Sequence, residues 1–68
     1  MIVELNGRPA ELGDAPTVAD AVRAAGLNGA TRGVAVAVDG EVVRRAEWER
    51  TELRERQVVE IVRAVQGG

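Results

Sequence analysis

The 68-residue sequence contains no cysteine, histidine, tyrosine, phenylalanine, serine or lysine. Without cysteine, neither a disulfide framework nor a thiolate metal site can supplement the core, so packing alone must hold the chain together. The missing side chains also remove almost every nucleophile, proton shuttle and soft metal ligand that an enzyme uses. Three threonines and the carboxylates remain. The pairs Glu47/Glu49 and Glu52/Glu55 sit in a highly charged, solvated stretch, a poor setting for paired acid and base work. Glycines at GxGxxG or P-loop spacing are absent, which argues against a nucleotide site on this chain. The expectation is a protein substrate with no catalytic residue, no metal ligand and no bound cofactor.

No apolar run approaches the roughly 20 residues of a membrane helix, and the N-terminus lacks the basic start and apolar core of a signal peptide. A cytoplasmic protein without a membrane partner is expected. All nine basic residues are arginines, set among eleven carboxylates for a formal net charge of −2. They form a mixed, solvated surface, not the basic stripe that nucleic acid requires. A chain this short buries only roughly 60% of the surface it exposes when unfolded, which limits it to one small domain. With valine, alanine, leucine and isoleucine supplying most of the apolar residues, the core should be thin and rich in β-branched side chains.

Along the chain, Val3 and Leu5 alternate in a strand over residues 2–6, and Asn6-Gly7 suits a two-residue hairpin turn. A return strand over Arg8–Leu12 must be an edge or begin at Pro9, which has no N–H to donate. Gly13-Asp14-Ala15-Pro16 breaks the pattern. Thr17 then stands as an N-cap with Asp20 three residues on, and Val18, Ala21, Val22 and Ala25 form one apolar stripe of a helix. Gly26 fits the left-handed position after the helix, with Leu27 folding back. After a loop over 28–33, Val34, Val36 and Val38 alternate with Ala35 and Ala37 in a strand. Asp39-Gly40 turns it into an antiparallel return over Glu41–Arg45. Residues 46–56 form a polar crossover with a short helical turn, anchored by Trp48 and Leu53. A last strand spans Val58–Ala64, with Val59 and Ile61 on one face and Val58, Glu60 and Val62 on the other.

The expected fold class is therefore α+β: a mixed sheet of four to five strands with one main helix packed on one face. One helix covers one face only, leaving the other to solvent or a partner. Val58 and Val62, with either the Ala35/Ala37 or the Val34/Val36/Val38 series, would contribute to that open face. Trp48 is a further possible partner contact, or an anchor pinning the crossover to the core. Domain boundaries are set at 1–64 for the folded body and 65–68 for a flexible tail.

The sequence ends in Gly67-Gly68, and glycine's missing Cβ makes such a tail thin enough to enter a narrow slot on another protein. Val65 and Gln66 would form its extended stem. The Gly68 α-carboxylate, with a pKa of roughly 3.3–3.7, is ionised at neutral pH, so it can attack phosphorus but cannot itself accept a nucleophile. Adenylation by a partner holding ATP and Mg²⁺ would make it an acyl donor. A sulfur nucleophile could then leave a terminal thiocarboxylate.

In these features the chain resembles the ThiS family, the small sulfur carriers of thiamine biosynthesis, which have the ubiquitin-like β-grasp fold. The likeness runs nearly end to end. It rests on the opening strand into Asn6-Gly7, on Thr17-Val18-Ala19-Asp20, and on the run from Val34 through Asp39-Gly40 to Val43. Glu47-Trp48, Val59-Glu60-Ile61-Val62 and the closing Ala64-Val65-Gln66-Gly67-Gly68 complete it. By that resemblance, a ThiF-like enzyme using ATP adenylates Gly68, sulfur drawn ultimately from cysteine converts it to a thiocarboxylate, and a ThiG-like thiazole synthase receives the sulfur. Two other readings stay open: a molybdopterin-synthase small subunit or other thiocarboxylate carrier, and a ubiquitin-like modifier or interaction module. Where the family usually has Gly-Asp before the last strand, this chain has Arg56-Gln57, which implies a more extended approach in place of a tight turn.

Overall fold

The computed structural model describes residues 1–27 and 32–63; residues 28–31 of the loop expected at 28–33, the strand end at Ala64 and the tail over 65–68 lie outside them. Two hairpins come first in order of local cause. β1 (Ile2–Leu5) and β2 (Arg8–Glu11) pair antiparallel around Asn6-Gly7, and β3 (Val34–Val38) and β4 (Glu41–Val43) pair around Asp39-Gly40. The φ angles are +51° and +83° in the first turn and +49° and +86° in the second. Both central residues are left-handed in each, as the right-handed twist of a two-residue hairpin favours. Pro9 lies opposite Glu4 on the outermost strand, where its missing donor breaks no ladder.

Helix α1 (Val18–Ala24) is closed at both ends. At its start, the Asp20 N–H donates to Thr17 Oγ1 (3.3 Å) and the Thr17 N–H to Asp20 Oδ2 (2.8 Å), the reciprocal capping box read from the sequence. The next donors are taken by the crossover: Val18 N–H to Thr51 O (2.9 Å) and Ala19 N–H to Trp48 O (3.0 Å). At the other end, Gly26 N–H bonds Arg23 O and Leu27 N–H bonds Val22 O, at 2.9 and 3.3 Å. That pair of bonds is a Schellman cap, and Gly26 supplies its left-handed residue at φ +86°.

β5 (Val58–Arg63) closes the sheet, running parallel to β1 and antiparallel to β3, so the strand order is β2-β1-β5-β3-β4. The helix packs on one face. Val3, Val36, Val38, Val59 and Ile61 from the sheet meet Val18, Ala19, Ala21 and Val22 from the helix, with Trp48 and Leu53 from the crossover. β-Branched residues dominate this core, and each fully buried valine contributes roughly 1.5–3 kcal/mol.

Three expectations need correction. Ala25 is the exposed helix C-cap, while Ala19 is buried, because the crossover covers that second flank of the helix. β4 stops at Val43 instead of Arg45, since the chain turns at Arg44 into a 3₁₀ turn over Arg45–Glu47. The approach to β5 is not extended either. Gln57 N–H donates to Arg54 O (3.1 Å) in a tight turn, with Arg56 at φ +70° in the position where a type II turn asks for glycine. Arg56 N–H also donates to Ile2 O (2.7 Å), fastening the turn to β1.

A left-handed non-glycine residue costs roughly 1–2 kcal/mol, against the roughly 0.4–1 kcal/mol by which glycine loosens the unfolded chain. Arg56→Gly is therefore expected to raise stability by about 0.5–1 kcal/mol, read as a thermal midpoint several degrees higher. An unchanged or lower midpoint would show that the turn carries no strain.

Candidate functional site

The sequence directs attention to the end of the chain, and the structure describes the strand that leads to it. β5 is gripped from both sides by side chains that behave like backbone. Asn6 follows β1, and its own N–H donates to Val59 O (2.9 Å). Its amide then continues the ladder: Ile61 N–H donates to Asn6 Oδ1 (2.7 Å) and Asn6 Nδ2 donates to Ile61 O (3.2 Å). Asp39 does the same at the opposite corner. Its N–H donates to Val58 O (2.8 Å), and its carboxylate accepts Val58 N–H (3.0 Å) and Gln57 Nε2 (2.9 Å). Gln57 Oε1 in turn accepts Arg54 N–H (2.7 Å), tying the tight turn into the same network.

These bonds hold the Asp39 carboxyl below the usual aspartate range, the Val58 N–H contributing most and the Gln57 amide next. Asn6, Asp39 and Gln57 were read from the sequence only as turn or loop residues. The signal that could have found them is chemical: a hairpin turn needs positive φ at its first position, and asparagine or aspartate there also brings a side chain able to bond neighbouring backbone.

Register decides which residues share the open face. Val58, Glu60 and Val62 of β5 lie on it, opposite Glu4 of β1 and Ala37 and Ala35 of β3, and Ala37 is opposite Val42 of β4. The Val34/Val36/Val38 series faces the helix, so the Ala35/Ala37 alternative is the observed one. Val62 is 62% exposed, Val42 is 75% exposed, and Val58 and Ile2 are also solvent-accessible. Val42 was not singled out in the sequence. Val58 and Val62 are thus brought together on the open face, whereas Trp48 is not: it is only 5% exposed and its Nε1 donates to Val43 O (2.9 Å). That placement makes it the anchor of the crossover. Val65, Gln66, Gly67 and Gly68 lie beyond the described residues and continue from the end of β5.

At the β1–β2 end of the open face is a cleft of about 260 Å³, lined by Ile2, Val3, Glu4, Gly7, Pro9 and Arg56. It is smaller than the roughly 300–1,000 Å³ of most small-molecule sites. Among the described residues no group of three or more acidic side chains is placed to hold a metal ion, and no helix is long and apolar enough to cross a membrane.

A folded pKa below the unfolded one means stability that is present above the unfolded value and lost as pH falls through the folded value. Asp39→Asn should accordingly destabilise the protein at about pH 7, and its deficit relative to the native chain should shrink on acidification below about pH 4. Urea unfolding across that range measures this. A deficit independent of pH would mean that the Asp39 charge has no part in holding β5.

The model of the ThiS family matches residues 3–68. Among solved structures, the chain is similar to the crystal structure of a thiamine biosynthesis protein (ThiS) from Geobacter metallireducens, with 26% sequence identity and a TM-score of 0.78, the alignment covering 100% of both chains. No curated protein matches the chain. One helix on a five-stranded mixed sheet is the ubiquitin-like β-grasp arrangement that the sequence resemblance implies.

Proposed function

The chain belongs to the ThiS family, and from that premise we propose that it is a cytoplasmic sulfur carrier of thiamine biosynthesis, a protein substrate and not a catalyst. The observation that carries this reading is the family match, which runs through residue 68 and so includes the Gly67-Gly68 pair. Gly68 is the working residue.

In the proposed sequence, a ThiF-like enzyme that supplies ATP and Mg²⁺ binds the carrier with its tail inserted. A carboxylate oxygen of Gly68 attacks the α-phosphorus, pyrophosphate leaves, and an acyl adenylate forms. Sulfur at the oxidation level of sulfide, drawn ultimately from cysteine, then adds to the acyl carbon and displaces AMP, leaving a thiocarboxylate. A ThiG-like thiazole synthase takes that sulfur for the thiazole ring. Gly67, Gln66 and Val65 serve as the thin stem that reaches through the slot.

What the folded body contributes is placement. β5 leads directly into the stem, and its open-face residues Val58 and Val62 sit on an exposed apolar surface with Ala35 and Val42. A protein that receives the tail abuts this face, and burial of its valines favours the complex by roughly 25 cal/mol per Å² before the costs of association.

Two outcomes are expected. Deleting Gly68, or appending residues after it, abolishes adenylation while leaving thermal stability unchanged, because the last core residue among the described residues is Ile61, seven positions before it. Intact-mass spectrometry after incubation with the adenylating enzyme, ATP and a sulfur donor reads the exchange of one oxygen for sulfur at Gly68. Full activation of an extended chain would overturn the assignment. Separately, Val62→Arg weakens binding to the adenylating enzyme by roughly tenfold or more. Unchanged binding would remove the open face from the interface.

A further inference from the structure

Arg56 combines three properties that do not belong together in a residue of no consequence. Its backbone sits at φ +70° in a turn that glycine would adopt without strain. Its side chain is exposed and takes part in none of the ion pairs among the described residues. It also lines the cleft at the β1–β2 end of the open face, beside apolar Ile2 and Pro9. Exposed Ala15 is left-handed as well, at φ +45°, so strain alone assigns no task; Arg56 adds to it a charged side chain at the cleft.

We infer that Arg56 is a partner-contact residue whose guanidinium, at the cleft walled by Ile2 and Pro9, receives a carboxylate side chain of the adenylating enzyme. The inference rests on the docking role proposed for the open face. Arginine suits the part: its planar fork binds carboxylate with two parallel hydrogen bonds, and a low-dielectric apolar wall strengthens them. Ile2 and Pro9 supply that wall. The position also sets a span. Arg56 precedes β5 and the stem follows it in sequence, and β5 itself runs about 17 Å from Val58 to Arg63 at the usual rise per strand residue. An enzyme that holds both ends must cover the whole length of β5, with Val58 and Val62 between.

Glu4 lines the same cleft and makes the sign of the occupant testable. An incoming carboxylate is attracted by Arg56 and repelled by Glu4. Binding of the adenylating enzyme from the same source is measured for Arg56→Gly, Arg56→Glu and Glu4→Gln, alongside thermal unfolding of each variant. Arg56→Gly should bind roughly tenfold more weakly while unfolding at a higher temperature, so that lost stability cannot account for lost affinity. Arg56→Glu should bind more weakly still, and Glu4→Gln more tightly than the native chain. Native affinity in Arg56→Gly overturns the inference, and so does weaker binding in Glu4→Gln, which would mark the occupant as a cation. Val62→Arg, run in parallel, separates the two readings. If it loses binding while Arg56→Gly keeps it, only the Arg56 inference fails; if it too binds as the native chain, the docking face itself is wrong.

Discussion

The structure depends on holding one central strand in register against two neighbours that come from distant parts of the chain. β5 pairs with β1, more than fifty residues earlier, and with β3, about 21 to 29 residues earlier. Its faces differ sharply: Val59 and Ile61 belong to the core, while Val58, Glu60 and Val62 belong to solvent. A slip of one residue would exchange them, burying Glu60 and exposing the core pair. Backbone pairing with β1 covers only two residue pairs. Five pairs with β3 add to it, and Asn6 at Ile61 and Asp39 at Val58, two polar groups whose positions are themselves fixed by hairpin turns, reinforce both sides. Each turn residue therefore does two jobs with one side chain: it reverses a hairpin and fixes the strand beyond it.

The crossover solves the complementary problem of bringing the chain to the start of β5. It runs past the N-terminal end of α1, where helix N–H groups have no intrahelical acceptor. Thr51 and Trp48 provide carbonyls to Val18 and Ala19, and Leu53 N–H returns a bond to Pro16 O (2.8 Å). Trp48 and Leu53 bury their side chains in the same core. Helix and crossover thus satisfy each other's backbone, and the loop is as well determined as the sheet it feeds. The tight turn at Arg54–Gln57 carries a local cost, because residue 56 bears a side chain in a left-handed conformation, as does Ala15 ahead of the helix.

How far the sequence could be read follows from which forces are local. The hairpin turns, the capping box and the Schellman glycine are decided within a few residues, and Asn6-Gly7, Thr17 to Asp20 and Gly26 announce them. Alternation placed Val59 and Ile61 opposite Val58 and Val62 correctly. The choice between Ala35/Ala37 and Val34/Val36/Val38 for the open face was not local, since both series alternate equally well; the helix and crossover settle it by covering the larger side chains. Ala19 and Ala25 went astray for the same reason, as a single stripe cannot anticipate a second element packing on the helix flank. The grips of Asn6 and Asp39 on β5 span 55 and 19 residues and leave no periodic trace. For the tail, Gly67 and Gly68 are legible as composition and order alone.

The composition that leaves few nucleophilic side chains has a second consequence under the proposed carrier role. The acyl adenylate proposed at Gly68 would be an electrophile, open to attack by nucleophiles of its own chain. Amines and thiols are the side chains that such an acyl group transfers to most readily, and this sequence has neither lysine nor cysteine. The one charged amine in the described structure, the Met1 amino group, donates to Glu11 Oε2 and to Gly13 O. The Glu11 hydrogen bond raises its pKa, which favours the protonated, non-nucleophilic form. Charge on the surface is carried instead by arginine, whose guanidinium stays protonated throughout the physiological range and does not attack carbonyl carbon. A body so equipped would present ion-pairing groups to partners while offering the activated end neither a thiol nor a lysine amine, which under the proposed chemistry favours the incoming sulfur as acceptor.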